Sequence, residues 1–323
     1  MNRYTHKEVI QSSGLYLHME EYLEMMLIIG RSVHTHRRHQ SALRCFILWC
    51  TQQNINKLKE ISKNTLRHYR KYLYNYRQPD GKHLTNGSKN SKLTPIKVFF
   101  NWCAKEHYLP FDIAHDFEIP HKPRGIPTKI LMHDAIELIL KQPDIKTTEG
   151  LRDRTMMEVL YSTAIRRSEV TNLMCRDIDL ERRTVKVSKS KNGWDRFVPI
   201  GERALNWIEQ YLEIARPNLL KDQDDGRLFL SRQGIAFKPD ALAARVKSYI
   251  KLAEIDTRGS CHLFRHSVAT QMLENGADIR YIQALLGHVD LNTTEIYTRV
   301  AIKKLKEVHA RTHPTTVSHL TNR

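Results

Sequence analysis

Between Leu109 and Thr128 the chain reads LPFDIAHDFEIPHKPRGIPT, with Pro110, Pro120, Pro123 and Pro127 inside twenty residues. Each proline fixes its own φ, removes a backbone donor and pushes the preceding residue out of the helical region, so this stretch favours an extended linker. It divides the 323 residues into two blocks, each long enough for a core of its own, since domains commonly run to about 100–200 residues. The sequence predicts a flexible arm over residues 1–14, a helical domain over 15–108, the linker over 109–128, a second domain over 129–313 and a tail over 314–323.

In the first block the apolar residues recur at helical spacing. One helix is expected from Tyr16 to Ile29, through Leu17, Tyr22, Leu23, Met26 and Leu27; a second starts near Thr35 and runs through Leu43, Phe46, Ile47 and Cys50, with Arg37 and Arg38 in its basic first turn. A third, from about Lys63 to Tyr76, puts Leu66, Tyr69 and Leu73 on one stripe and Arg67 and Arg70 on the polar side. A fourth, Ser88 to Glu106, contains Pro95, which marks either its first turn or a kink. The aromatic stripes read as core rather than as platforms for stacked bases. Arg37, Arg38, Arg67 and Arg70 are the candidate contacts to a nucleic-acid backbone.

The second block mixes helical spacing, as at Leu131–Lys141, Thr148–Ser162, Glu202–Ile214 and Lys238–Ala253, with one alternating segment, TVKVSKSKNGWDRFVPI. Its runs Thr184–Ser188 and Arg196–Ile200, joined through Asn192-Gly193, predict a β-hairpin with Lys189 and Lys191 near the tip. The fold class is therefore mainly α with a small β-sheet. Ser168-Glu169 starts a helix and leaves Arg166 in the turn before it. Further on, His262 and Arg265 stand three residues apart on one helix, Gly287 caps the next, and His288 follows the cap. Tyr297 lies on a short third helix, and Ile302–Ala310 forms a last one. A lone His-x-x-Arg or a histidine after a cap is commonplace on solvated helix surface. The conjunction of cations, imidazoles and a phenol suits an anionic phosphate ester, and phosphoryl transfer to Tyr297 is the chemistry it suggests.

Composition narrows the partners. The formal net charge is +17, with residues 1–127 holding 20 Lys and Arg against 10 Asp and Glu, so both blocks are basic and nucleic acid is the expected polyanion. Five cysteines, odd in number and without a Cys-x-x-Cys pair, predict reduced thiols in the cytoplasm, and no Cys/His spacing suggests zinc. No run of roughly 18 apolar residues and no signal-like N-terminus is present, so membrane insertion and secretion are not expected.

Taken together, TAIRRSEV, the hairpin ending RFVPI and HLFRHSVATQMLENGADIRYIQALLGHVDLNTTEIYTRV resemble the tyrosine recombinases, the integrase family that includes the Xer recombinases and phage integrases. The resemblance covers nearly the whole chain. It implies an N-terminal four-helix, SAM-like core-binding domain and a C-terminal α+β catalytic domain. Tyr297 is implied as the nucleophile that forms a 3′-phosphotyrosyl intermediate, with Arg166, Arg265 and His288 on the phosphate oxygens and His262 accepting the tyrosine proton. Glu169 is implied as a support that orients a site residue. The hairpin lysine that protonates the leaving oxygen matches either Lys189 or Lys191; counting back from Arg196 favours Lys191, and Lys189 is then a DNA contact. The family usually has glycine before the hydrophobic residue and first arginine, where this chain has Ala164.

The resemblance further implies double-stranded DNA with a specific recombination site, a homo-tetramer on that DNA, and neither metal, ATP nor any other cofactor. It admits an accessory or sister recombinase and spans phage integration, mobile-element movement and chromosome dimer resolution. A type IB topoisomerase that nicks and closes DNA, or a catalytically silent DNA-binding relative, are the alternative readings.

Overall fold

The computed structural model describes residues 3–120, 130–188, 195–221, 224–257 and 259–287. The chain divides into two compact units, residues 1–123 and 124–323.

The first unit holds α1 (Arg3–Gln11), α2 (Leu15–Ile28), α3 (Val33–Gln52), α4 (Lys63–Asn75) and α5 (Asn86–Lys105). Local chemistry starts three of them: the hydroxyls of Ser32, Ser62 and Thr85 accept from the backbone N–H groups of Thr35, Ser62's partner Thr65, and Ser88. The expected aromatic stripes are core. Tyr22, Phe46, Tyr69 and Phe100 are all at most 1% exposed, and Phe46 meets Tyr69 and Phe100 edge-to-face at centroid separations of 4.9 and 5.9 Å.

Two details differ from the sequence reading, and for Pro95 one of its two alternatives, the first turn, is set aside. The segment expected as a flexible arm carries α1, whose Ile10 is buried in the same core. Its other residues are mostly polar, which leaves too little apolar spacing to announce a helix. Pro95 lies deep inside α5, neither in its first turn nor at its end, and the buried faces of Leu93, Ile96, Phe99 and Phe100 hold the helix together around it. The proline-containing stretch is not extended from its start: Leu109, Ile113, Ala114 and Phe117 are buried in the first core, and Lys97 Nζ donates to the carbonyls of His115 and Phe117, both at 3.1 Å. Residues 121–129 lie outside the described ones.

The second unit is built on α7 (Thr148–Thr163), which follows α6 (His133–Leu140) and is buried on nearly every side. A helix buried all round must pair its polar groups. Arg152 Nε donates to Asp153 Oδ1 at 2.9 Å, its Nη1 donates to the Leu230 carbonyl at 3.2 Å, and its guanidinium lies over the Phe237 ring at 4.4 Å. Next come α8 (Arg167–Asn172) and the strands β1 (Ile178–Asp179), β2 (Thr184–Val187) and β3 (Arg196–Pro199) in an antiparallel order β1-β2-β3. Val185 pairs with Val198 and Val187 with Arg196, so the buried valines line one face; the connection 189–194 lies outside the described residues.

The expected helix Glu202–Ile214 is split into α9 (Glu202–Gln210), a π turn over Tyr211–Ala215 and α10 (Arg216–Leu219). Pro217 has no N–H for the carbonyl four residues back, and the wider turn takes up that mismatch. The unit continues with α11 (Pro239–Leu252), α12 (Cys261–Glu274) and α13 (Ile279–Leu286). No helix among the described residues is long and apolar enough to cross a membrane.

Candidate active site

Two turns of the second unit meet at the end of α7. The first is the exit from that helix: Ala164 caps it in the left-handed conformation, at φ 52° and ψ 20°, with its N–H on the Leu160 carbonyl at 3.0 Å. An alanine in that conformation carries about 1–2 kcal/mol of backbone strain. Its methyl is buried with Val268, Ala269, Ile282 and Leu286, which offsets part of that cost. The second turn is Gly287, the left-handed cap of α13 at φ 62°.

Arg265, on α12 and 5% exposed, ties the two turns together: Nη1 donates to the Ala164 carbonyl at 2.7 Å and Nη2 to the Leu286 carbonyl at 2.6 Å. Arg166 stands two residues past Ala164 in extended backbone and reaches the same place, its Nη2 donating to the Gly287 carbonyl at 3.3 Å. Residues 101 and 121 positions apart in sequence are thus joined by guanidinium groups.

Glu169 underlies this pair. Its carboxylate accepts from the Arg166 backbone N–H at 2.7 Å, which caps α8, and from Arg166 Nη1 at 2.9 Å. It also accepts from Arg196 of β3, Nη1 to Oε1 at 3.0 Å and Nη2 to Oε2 at 2.9 Å. Burial alone would push the Glu169 carboxyl up, but the Arg196 hydrogen bonds, the Arg166 backbone donor and the two guanidinium charges outweigh it and hold the group below the usual carboxylate range. Two guanidiniums share this one carboxylate and a third, that of Arg265, is held at the same pair of turns, which leaves a local excess of positive charge that suits an anion.

His262 lies on the same helix as Arg265. Its outer edge reaches solvent, yet packing around the ring and the charges of Arg167, Arg265 and Arg166 push it below the ordinary imidazole range, so the ring is neutral at pH 7. Arg167 itself pairs with Asp240 at 3.0 Å.

Of the residues singled out from sequence, the structure brings together Arg166, Glu169 and Arg265, with His262 in their field. Lys189, Lys191, His288 and Tyr297 lie outside the described residues. Arg196 entered the sequence reading only as a strand residue. The arginine that opens RFVPI was the available signal, but its partner is 27 positions away and emerges only from the sheet register.

In the first unit, Arg67 and Arg70 line one groove of about 1330 Å³ together with Lys71, Lys89 and Lys97. Arg70 Nη1 donates to the Glu118 carbonyl at 2.9 Å, and its guanidinium lies over Phe117. Arg37 and Arg38 are exposed on α3 and are not among the residues lining that groove.

The family model described as the phage integrase family matches residues 129–304, more than half of the chain, and the phage integrase SAM-like domain matches residues 15–119. The chain belongs to the phage integrase family. Among its relatives, tyrosine recombinase XerC 2 of Ralstonia nicotianae is 43% identical over 297 residues, covering 92% of this chain and 85% of its own length. Tyrosine recombinase XerD of Vibrio vulnificus is 33% identical over 301 residues, covering 92% of this chain and 95% of its own. Among solved structures, the XerH site-specific recombinase bound to a palindromic difH substrate, in a post-cleavage complex, matches with a TM-score of 0.68 at 22% identity. That match covers 85% of this chain and 79% of the other, and shows that the integrase fold is shared.

Proposed function

We propose that this phage integrase family member is a site-specific DNA recombinase that cuts and rejoins double-stranded DNA through a 3′-phosphotyrosyl intermediate. The observation that carries the reading is the convergence of Arg166 and Arg265 on the two turns at residues 164–166 and 286–287. Guanidiniums held there by main-chain carbonyls are ready to take the non-bridging oxygens of a phosphodiester, whose charge grows as a fifth oxygen approaches phosphorus. His288, directly after the second turn in sequence, adds a further hydrogen bond to those oxygens.

Tyr297 supplies the attacking oxygen. A phenol with an ordinary pKa near 10 needs a base at neutral pH, and the lowered pKa of His262 keeps an imidazole nitrogen available to take its proton. The new P–O bond joins the 3′ end to Tyr297 while the bond to the 5′ oxygen breaks. Lys191, or Lys189 in its place, hands that oxygen a proton. Reversal with the 5′-hydroxyl of another strand rejoins the DNA, and because the phosphodiester energy is kept in the protein–DNA bond, neither ATP nor metal is required. Glu169 orients Arg166.

The DNA partner is supported by solved structures of like fold, the XerH recombinase bound to a difH substrate and the Tn1549 transposon integrase in complex with circular intermediate DNA. Arg67 and Arg70 in their basic groove, with Arg37 and Arg38 on α3, contact its backbone. Exchange between two duplexes requires four active sites, so a homo-tetramer on DNA, acting in the cytoplasm with or without a sister recombinase, completes the proposal.

The experiment is trapping of covalent adducts on DNA carrying the recombination site. Tyr297→Phe is expected to abolish the adduct while a mobility shift shows DNA binding unchanged; a wild type that forms no adduct would leave a silent DNA-binding protein. EDTA is expected to leave the rate of adduct formation on a nicked suicide substrate within about twofold, a change of roughly 0.4 kcal/mol in barrier. Loss of cleavage in EDTA would refute the metal-free scheme.

A further inference from the structure

We infer that Arg196 is a positioning residue for this chemistry: by sharing Glu169 with Arg166 and packing under Gly287, it sets how Arg166 is presented to the phosphate. The inference rests on the phosphoryl-transfer reading above.

An ionised carboxylate offers about four acceptor sites, and all four of Glu169's are used. Oε1 receives Arg166 Nη1 and Arg196 Nη1; Oε2 receives the Arg166 backbone N–H and Arg196 Nη2. Arg196 makes the two-pronged pair, and Arg166 is left with a single side-chain bond to the carboxylate, its Nη2 turned toward Gly287. Without Arg196 the buried carboxylate would have two unmet acceptor sites. It would then close a two-pronged pair with Arg166, drawing that guanidinium away from the phosphate and cancelling its charge, or take up a proton and cease to orient it.

A second observation, independent of Glu169, places Arg196 at the other turn. A Cβ built on Gly287 would lie 2.9 Å from Arg196 Cζ and 2.9 Å from Nε, so the guanidinium occupies the space that any side chain there would need. The Arg196 side chain is 14% exposed, and its strand partner is Val187, flanked in register by the buried pair Val185 and Val198. The pair Val187–Arg196 also closes the base of the hairpin whose connection contains Lys189 and Lys191. One residue therefore links the strand pair, the Arg166 turn and the turn before His288.

The test uses the full-length chain. The fragment of the source organism's sheared DNA that the wild type captures covalently is cloned and used as a nicked duplex. The adduct rate at saturating DNA and the half-saturating DNA concentration are then measured for wild type, Arg196→Met, Arg196→Lys, Glu169→Gln and the double variant Arg196→Met/Glu169→Gln. Melting by circular dichroism checks that each folds; if Arg196→Met does not, Arg196→Lys carries the comparison, since it keeps the charge and loses the fork.

The expected result is a saturated rate lowered about 10- to 100-fold in Arg196→Met, as for other residues that orient a reactive group, with half-saturation moved by less than about threefold. Arg196→Lys should recover part of the rate, and the double variant should be no worse than Glu169→Gln by more than about twofold, because both changes act through one carboxylate. An Arg196→Met rate within twofold of wild type, a loss confined to half-saturation, or losses that multiply in the double variant would each overturn the inference. A wild type that captures no fragment at all would overturn the phosphoryl-transfer reading, and this inference with it.

Discussion

His39 lies in the core of the first unit, 4% exposed, with its Nδ1 2.8 Å from the hydroxyl of Tyr22. Burial, reinforced by the charges of Arg38, Arg31 and His36, pushes its pKa down to about 4. The unfolded chain, with an ordinary histidine near pKa 6.5, therefore binds more protons than the folded one between those two values. Stability must rise with pH across that window and fall as pH drops through it. Going from pH 8 to pH 5 this one ring should cost about 2 kcal/mol, the work of keeping it neutral where it would otherwise be charged. Urea unfolding of the first unit, followed by the fluorescence of Trp49 and Trp102, should show that dependence in the wild type. His39→Gln should flatten it while lowering stability at pH 8; an unchanged slope would mean that other groups carry the acid sensitivity.

The cap of α13 shows how an element's end constrains the site. Gly287→Ala meets two obstacles, a left-handed backbone that costs an L-residue about 1–2 kcal/mol and the Arg196 guanidinium within 2.9 Å of the new methyl. Gly30, at φ 74°, has nothing within 4 Å of an added Cβ. Gly30→Ala should therefore lose about 1–2 kcal/mol of stability in urea and Gly287→Ala at least as much, and only Gly287→Ala should slow covalent adduct formation, about tenfold or more. Equal adduct rates in the two variants would show that the Gly287 turn does not govern the site.

The same elements show what the chain's one-dimensional pattern could reveal. Helices with a full apolar stripe, such as α3 and α4, were legible because that spacing is local, whereas the hydroxyl caps at Ser32 and Ser62 were not singled out and fix where the helices begin. Arg166 was legible as the residue in the turn before a helix, and the role of Glu169 entered only as a support implied by the resemblance; that its carboxylate caps the helix from beneath Arg166 is seen in the structure. The helix α1 was missed for want of an apolar stripe, and the start of the proline-containing stretch was misread because Leu109, Ile113 and Phe117 find their partners only in the assembled core. Arg196 and the carbonyls that hold Arg265 depend on strand register and on turns more than a hundred residues apart. No window along the sequence contains them.

At the scale of the molecule the governing quantity is charge. The formal net charge is +17, and residues 1–127 contribute +10 of it, so neither unit is neutral. Each lysine or arginine that meets a DNA phosphate releases condensed counterions, which makes log K fall with log salt at a slope of about −0.9 per contact. A recombinase that holds its site through both basic units should make at least about 6–10 such contacts and lose roughly 10³- to 10⁵-fold in affinity between 50 and 200 mM salt. Fluorescence anisotropy with duplex DNA across that range measures the slope. Arg67→Ala, in the groove of the first unit, should weaken binding to all sequences alike and make the slope shallower by about one, because a backbone contact carries no sequence information. An affinity that changes less than tenfold over the same range would mean that the positive surface is not what grips the duplex. A variant slope equal to that of the wild type would remove Arg67 from the contact surface while leaving the charge argument standing.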